Sequence, residues 1–340
     1  MSLGSLYWNG RFSSWGPARP QEEGYSLLVP VPGDLPVFLE LALSVLRLQE
    51  HEHRVETIVI PDRPTTAIDT VIARFTPQWE GTLDKVLFPQ PERHALPLLR
   101  NPSHNHGIQL ITGIRAARGS HIVLHDADLF LLRPDALDRH YEETVSGDLV
   151  ACGVSPVWDT WFADRGFSLV ATWELCAQRN WLRSFPPHMH MGHVAEILGE
   201  EHVFDTTLHP QALTEQSRVA VRPQEDAIVH FNYVISTYRH FQRSTGGYAD
   251  DMFRLLLVRL FVDLFADVDA DYTLPTITDL SRGLTDPTAL VTYPVPTSEV
   301  ISEYAGFRER VQRILTGAWV PSGRGDDAAL ALAPFDRHYA

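Results

Sequence analysis

Lysine occurs once in the 340 residues, at Lys85, and cysteine only twice, at Cys152 and Cys176. Two cysteines so far apart in sequence exclude a disulfide framework of the secreted kind and a Cys-based zinc site, and they fit a reducing cytoplasm. No stretch approaches the ~20 uninterrupted apolar residues that span a bilayer, and nothing after Met1 combines a charged start with an apolar signal core. Any membrane attachment is therefore expected to be peripheral. Basic side chains number 28 against 43 acidic ones, a formal charge of −15, which argues against a general nucleic-acid binder because such proteins need clustered Lys and Arg to displace phosphate counterions. If this chain handles phosphate, it must do so with a metal and a few arginines. The preference for Arg over Lys suits a GC-rich bacterial coding sequence.

What is present is a globular chain, 44% hydrophobic, with a core large enough for one big domain plus an appendage. Residues 1–23 are rich in Gly, Ser, Pro and Trp without periodicity and read as an irregular N-terminal arm. From Tyr25 strands and helices alternate. Tyr25–Pro30 reads as a buried strand, Asp34 as the cap of a helix running to about Glu50, Val55–Ile60 as a second strand and Thr66–Phe75 as a helix. Lys85–Phe88 follows as a short strand, Asn105–Arg118 as a helix stopped by Gly119, and His121–His125 as a strand. Such a series predicts an α/β fold with a mostly parallel sheet flanked by helices, its strand ends converging on one crevice. Residues 24–245 are assigned to this domain and 246–340 to a mainly helical extension. That extension holds helices over Ala249–Phe265 and Ser298–Thr316, an extended Thr- and Pro-rich stretch at Pro275–Pro296, and a tail in which Arg324-Gly-Asp326 is a polar turn.

The most informative junction is where the 120–125 run meets Asp126-Ala-Asp128. Two carboxylates at i and i+2 beyond a buried strand can share one divalent cation, in the place where open α/β sheets put their ligands. Asp267-Val-Asp269-Ala-Asp271 has the same spacing, but it follows the helix-like Met252–Phe265 run and would sit at the helix's negative end. A calcium loop counted from Asp267 would need Gly and Glu where Tyr272 and Thr278 stand, so this cluster is assigned to a solvated loop.

On the opening strand and helix from Tyr25, Asp62 at the end of the second strand, the Asn105-His-Gly107 to Gly119 segment and Asp126-Ala-Asp128, the chain resembles the GT-A-type nucleotide-sugar glycosyltransferases, in particular the large family-2-like group. The resemblance covers roughly residues 24–153. It implies a Rossmann-like GT-A fold and transfer of a sugar from a UDP- or GDP-sugar to a small-molecule, glycan or lipid-linked acceptor, with Mn²⁺ or Mg²⁺ as cofactor. Asp62 then resembles the acidic residue that contacts the base or ribose, with Pro30 and Val31 alongside the base. Asp126 resembles the ribose- and metal-facing carboxylate and Asp128 the direct ligand of this DXD motif. His230 is the candidate for a late histidine drawn onto the metal.

Positive charge for the diphosphate is sought in Arg115, on the helix before the metal strand, and in Arg239 and Arg243. The last two precede a Ser244–Ala249 loop that could close over the donor. An acceptor base is sought in Asp159, within an aromatic stretch where Trp158 or Trp161 could stack on a sugar, and in His193 and Glu196 of the His188-Met-His-Met-Gly-His193 segment. Zinc is a minor alternative for that segment. A sugar-nucleotide binder without turnover and a sugar-phosphate nucleotidyltransferase are the competing functions. The latter resembles a family with a Gly-rich basic loop after the first strand, where this chain has Val29-Pro-Val-Pro-Gly33.

Overall fold

The computed structural model describes residues 3–96, 98–99, 102–156, 160–223, 228–231, 233–243, 252–265, 272, 274–317 and 320–340. Its strands are β1 (Glu22–Val31), β2 (Arg54–Pro61), β3 (Thr82–Lys85), β4 (Gly119–His125), β5 (Leu129–Leu131), β6 (Ala151–Val154), β7 (Glu174–Gln178), β8 (His193–Ile197), β9 (Glu200–Phe204), β10 (Val219–Arg222) and β11 (Ile228–His230). The chain forms two compact units, one made of Met1–Asp34, Gln49–Ala127 and Asp135–Ala227, the other of Leu35–Leu48, Asp128–Pro134 and Ile228–Ala340.

The first unit is built on a seven-stranded sheet in the order β10-β6-β7-β4-β1-β2-β3. All neighbours run parallel except β7, which is antiparallel to both β4 and β6. The mostly parallel α/β architecture expected from the alternating runs is therefore present. The central strands are buried along nearly their whole length, as parallel strands covered by helices must be, which is why β1 and β4 read as unbroken apolar runs. One cover is the Pro102–Ala116 helix, whose Ile108, Ile111 and Ile114 join Leu28, Ile60 and Leu124 in one core. Cys152 and Cys176, distant in sequence, stand directly opposite each other on β6 and β7 as buried free thiols.

The N-terminal arm is not irregular throughout. Leu3–Arg11 is helical, and Trp8 and Phe12, one turn apart, are both buried. The segment after it is fastened by arginines of the body. Arg115 donates to the Ser14 carbonyl (2.9 Å), Arg183 to that of Gly16 (2.8 Å) and Arg179 to that of Arg19 (2.8 Å). Arg115 and Arg183 also lie over the rings of Phe12 and Trp15.

The second unit packs the apolar Pro36–Leu46 helix with Met252–Phe265 and Val234–Arg243 around the small antiparallel β5–β11 pair. Phe38 meets Tyr238 edge to face at 5.8 Å, and the buried Glu40 accepts a hydrogen bond from the Tyr272 hydroxyl (2.8 Å). Asp34 does not cap the Pro36–Leu46 helix: Leu35 holds the cap position without a side-chain bond, and Asp34 lies 3.4 Å from the Arg63 guanidinium. The third strand ends at Lys85 rather than beginning there. The 275–296 stretch contains the helix Ile277–Arg282, which Thr276 and Asp279 start with a capping box. Arg324-Gly-Asp326 opens the helix Arg324–Tyr339 instead of forming a turn. Among the described residues no helix is long and apolar enough to cross a membrane.

Candidate active site

Where β1 and β2 end, Asp62 organises the rim. Its amide donates to the Val31 carbonyl (3.0 Å), and its carboxylate accepts from the Gly33 amide (2.6 Å) and from the Asn105 side-chain amide (3.0 Å). Gln109, one helical turn after Asn105, donates to the carbonyls of Val31 (3.0 Å) and Ile60 (2.6 Å). One helix face thus fixes both strand ends, and Asp62, with 7% of its side chain exposed, is an anion held in place at the rim. Gly33 is required here. A Cβ at that position would stand 2.0 Å from the Arg63 carbonyl oxygen.

Asp126 follows β4 directly, and its amide is anchored on the Trp173 carbonyl (3.0 Å). Its Oδ1 lies 3.2 Å from Nε2 of His106, and Nδ1 of His106 lies 3.4 Å from the hydroxyl of Thr206. Asp205 Oδ1 accepts from the Thr206 amide (2.7 Å). Just beyond, Thr207 holds φ at +67°, a costly left-handed setting for a β-branched residue, supported by the buried Gln211, whose amide donates to the Thr207 hydroxyl (3.2 Å).

In the second unit, Asp128 leads into β5 and His230 closes β11, with His230 paired opposite Leu129. This brings His230 Nε2 to 3.4 Å from Asp128 Oδ1, with the two side chains 9% and 10% exposed. A carboxylate oxygen and an imidazole nitrogen suit Mn²⁺ or Mg²⁺ while leaving coordination positions for phosphate oxygens and water. Among the described residues no group of three or more His, Cys, Asp and Glu side chains could hold a metal by itself.

Behind Asp126, His125 and Glu174 are fully buried, with His125 Nδ1 2.9 Å from one Glu174 oxygen and His140 Nδ1 3.4 Å from the other. Burial pushes the Glu174 carboxyl up, but the hydrogen bonds from the two histidines outweigh it and hold Glu174 below the usual carboxylate range.

The remaining candidates are placed less favourably. His188, His190 and His193 turn to different acceptors, namely the carbonyls of Phe12 (3.3 Å), Leu182 (2.7 Å) and Met191 (2.6 Å), so they do not form a zinc site. His193 Nε2 is 2.8 Å from His209 Nδ1, and burial, followed by the charge of His193, pushes the His209 imidazole down to about 4. Glu196 is exposed on the β8–β9 hairpin opposite Glu201. The Trp161 ring is stacked by His202 at 4.2 Å and covered by the Arg165 guanidinium at 4.1 Å. The Arg115 guanidinium is committed to Ser14 and Phe12. Arg239 lies on the Val234–Arg243 helix. Asp159, Trp158, the Ser244–Ala249 loop, Asp267, Asp269, Asp271 and the side chain of Arg243 lie outside the described residues.

Asn105, His106, Asp205 and Thr206 were not singled out as site residues by the sequence. Asn105 and His106 stand in the sequence reading as a helix start and as part of the segment that carries the resemblance, with no role of their own, while Asp205 and Thr206 follow a short strand with no local signal.

No family model matches the chain, and no curated protein does. Solved structures similar to it include a mannosyltransferase from Pyrobaculum calidifontis in complex with GDP-Man and Mn²⁺, at 16% identity and TM-score 0.42, covering 98% of this chain and 95% of that one. Residues 1–349 of S. aureus TarS are 12% identical at TM-score 0.40, with 93% and 89% covered. Glucosyl-3-phosphoglycerate synthase from Mycobacterium tuberculosis is 15% identical at TM-score 0.39, with 63% and 74% covered. Similarity of this degree carries no conclusion about what this chain binds.

Proposed function

We propose that the chain is a metal-dependent glycosyltransferase that moves a sugar from a nucleoside-diphosphate sugar to an acceptor hydroxyl in the cytoplasm. The observation that carries this reading is the meeting of Asp128 with His230, 3.4 Å apart and nearly buried, immediately after the strand that delivers Asp126. In this reading Asp128 and His230 hold Mn²⁺ or Mg²⁺, which when bound offsets the charge that develops on the departing diphosphate. Asp126 faces the ribose and the metal. Asp62 takes the base or ribose, with Pro30 and Val31 beside the base. Arg239 and Arg243 are proposed to touch the diphosphate. Arg115 is withdrawn from that role because its guanidinium serves the arm.

For the acceptor base the reading turns to Asp205. His193 is spent on Met191 and His209, and Glu196 lies on an exposed hairpin face, whereas Asp205 adjoins the Thr206–His106–Asp126 contacts. Its carboxylate, steadied by the Thr206 amide, would take the proton of the acceptor hydroxyl as that oxygen attacks the anomeric carbon.

A thermal-shift panel of UDP-, GDP- and ADP-sugars with and without Mn²⁺ tests the reading. Stabilisation by a donor only when metal is present, followed by release of nucleoside diphosphate, supports it. Binding without release leaves the non-catalytic binder, and no metal-dependent binding at all overturns the reading.

A further inference from the structure

Charge is unevenly spread along this acidic chain. Residues 1–20, 86–116 and 179–195 together carry seven arginines and a single acid, Glu92, which leaves 21 of the 28 basic and 42 of the 43 acidic residues for the rest. These three stretches meet in the first unit. Arg11, the last residue of the Leu3–Arg11 helix, reaches the buried Glu92 (2.8 Å), Trp8 meets the His104 ring edge to face at 6.2 Å, and the His188 amide donates to the Phe12 carbonyl (3.0 Å). The Trp15 indole donates to the Phe185 carbonyl (2.6 Å). The one acid is spent on Arg11, whereas the bonds of Arg115, Arg179 and Arg183 run to neutral carbonyls and leave those charges uncompensated.

Large apolar side chains stand in solvent on the same stretches. Leu6 and Tyr7 of the Leu3–Arg11 helix are 55% and 39% exposed, and Leu98, in the turn after the Gln90–Ala95 helix that holds Glu92, is 83% exposed. A short helix seated on the protein through Trp8, with Leu and Tyr turned outward and arginines around it, has the make-up of segments that lie in the headgroup layer of a membrane.

We propose that the outer side of the N-terminal arm is a docking surface for an anionic lipid bilayer, with Leu6 and Tyr7 entering the headgroup layer and the surrounding arginines answering the lipid phosphates. Neither signal suffices alone, since two small apolar groups bind weakly and a few arginines bind reversibly, but the two together add. The chain's overall negative charge does not oppose this contact: at physiological salt the Debye length is about 8 Å, so acids on other faces are screened from it. Through Trp8 and His104 the docked helix sits at the Asn105 end of the Pro102–Ala116 helix, the end that holds Asp62. The inference is independent of the glycosyltransferase reading, and its test uses no sugar nucleotide.

The experiment sediments the full chain with vesicles of phosphatidylcholine alone and of phosphatidylcholine mixed with phosphatidylglycerol. The protein should follow the anionic vesicles, less so as salt is raised, and ignore the neutral ones. Absence from the anionic pellet, or equal binding to both, overturns the proposal. Replacing Leu6 and Tyr7 together by Ser should weaken binding at least roughly tenfold, and Arg19→Gln, an exposed arginine of the arm, roughly fivefold. Leu330→Ser and Arg282→Gln, whose side chains are well exposed in the second unit, should bind as the parent does. Parental binding by the Leu6 and Tyr7 double variant overturns the proposal.

A site-specific readout decides even if that double variant unfolds. Cys152 and Cys176 are buried, so a polarity-sensitive thiol dye on Leu6→Cys reports from the arm alone, and the same dye on Leu330→Cys serves as its control. Emission from position 6 should shift to the blue on adding anionic vesicles, with no change at position 330. An unshifted dye at position 6 on vesicle-bound protein would mean attraction by charge alone, as for any polyanion, and overturns the proposal.

Discussion

Asp128 and His230 come within 3.4 Å of each other because β5 and β11, three residues each, pair with His230 opposite Leu129. A strand pair this short exists only through its packing, so this contact depends on the helices around it rather than on local sequence. Replacing Asp128 with Asn keeps the shape and removes the charge. Metal-dependent stabilisation by a sugar nucleotide should vanish in Asp128→Asn, with the unliganded melting temperature within a few degrees of the parent. His230→Ala should weaken the same response at least roughly tenfold. Retention of the full metal response in both variants would remove these residues from the metal.

Asp62 connects three segments through the Gly33 amide and the Asn105 side chain. Asn105→Ala deletes one bond to a nearly buried carboxylate and should cost about 1–3 kcal/mol in urea-derived stability. It should also weaken donor binding more than acceptor-independent folding alone explains. Equal stability of variant and parent would mean that Asp62 does not rely on Asn105.

Gly33→Ala forces a methyl group against the Arg63 carbonyl, where the ideal position would be 2.0 Å away. The loop between β1 and the following helix must then shift, at about 1–3 kcal/mol by the usual penalty for overpacking. Chemical denaturation measures this directly. Gly16→Ala provides a contrast: nothing stands near its Cβ, though its φ of +72° still disfavours a side chain.

Stability should fall as the solution is acidified below neutrality. Burial pushes His121, His190 and His209 each down to about 4 in the folded protein, whereas in the unfolded chain they titrate near 6.5. Between these values the unfolded chain binds protons that the folded chain refuses. Their effect is absent above about pH 6.5 and grows as pH drops toward 4. At pH 5 these three imidazoles alone should take up between about two and three protons on unfolding. Urea midpoints at pH 7, 6 and 5 check the slope, and His190→Gln, which can keep the bond to Leu182, should flatten it. A flat profile in the parent would show that these rings titrate normally.

The sequence carried the parts of this molecule whose signal is local. Asp126 drew attention because two acids follow a largely buried strand, and Asp62 because it ends the second strand of the segment that carries the resemblance. His106 did not, since its partner Thr206 lies 100 residues further on and nothing near either announces the other. The arm's helix escaped notice behind its glycines, although Trp8 within it and Phe12, one turn further on and just past its end, are both buried. The tail was misread for a similar reason. Its Arg-Gly-Asp start suggests a turn, while Ala328, Leu332, Phe335 and Tyr339, spaced by four, three and four, are the buried stripe of a helix.

The carbonyls that receive Arg115, Arg179 and Arg183 have a consequence for handling the protein. Peptide oxygens are neutral, so concentrated salt, which loosens exposed ion pairs, should leave the N-terminal segment seated. Proteolytic trimming ahead of residue 20 would do the opposite. It would uncover these guanidinium groups and, although the loss of Arg11 and Arg19 takes the net charge from −15 to −17, give the trimmed protein a small cationic face that heparin resin retains.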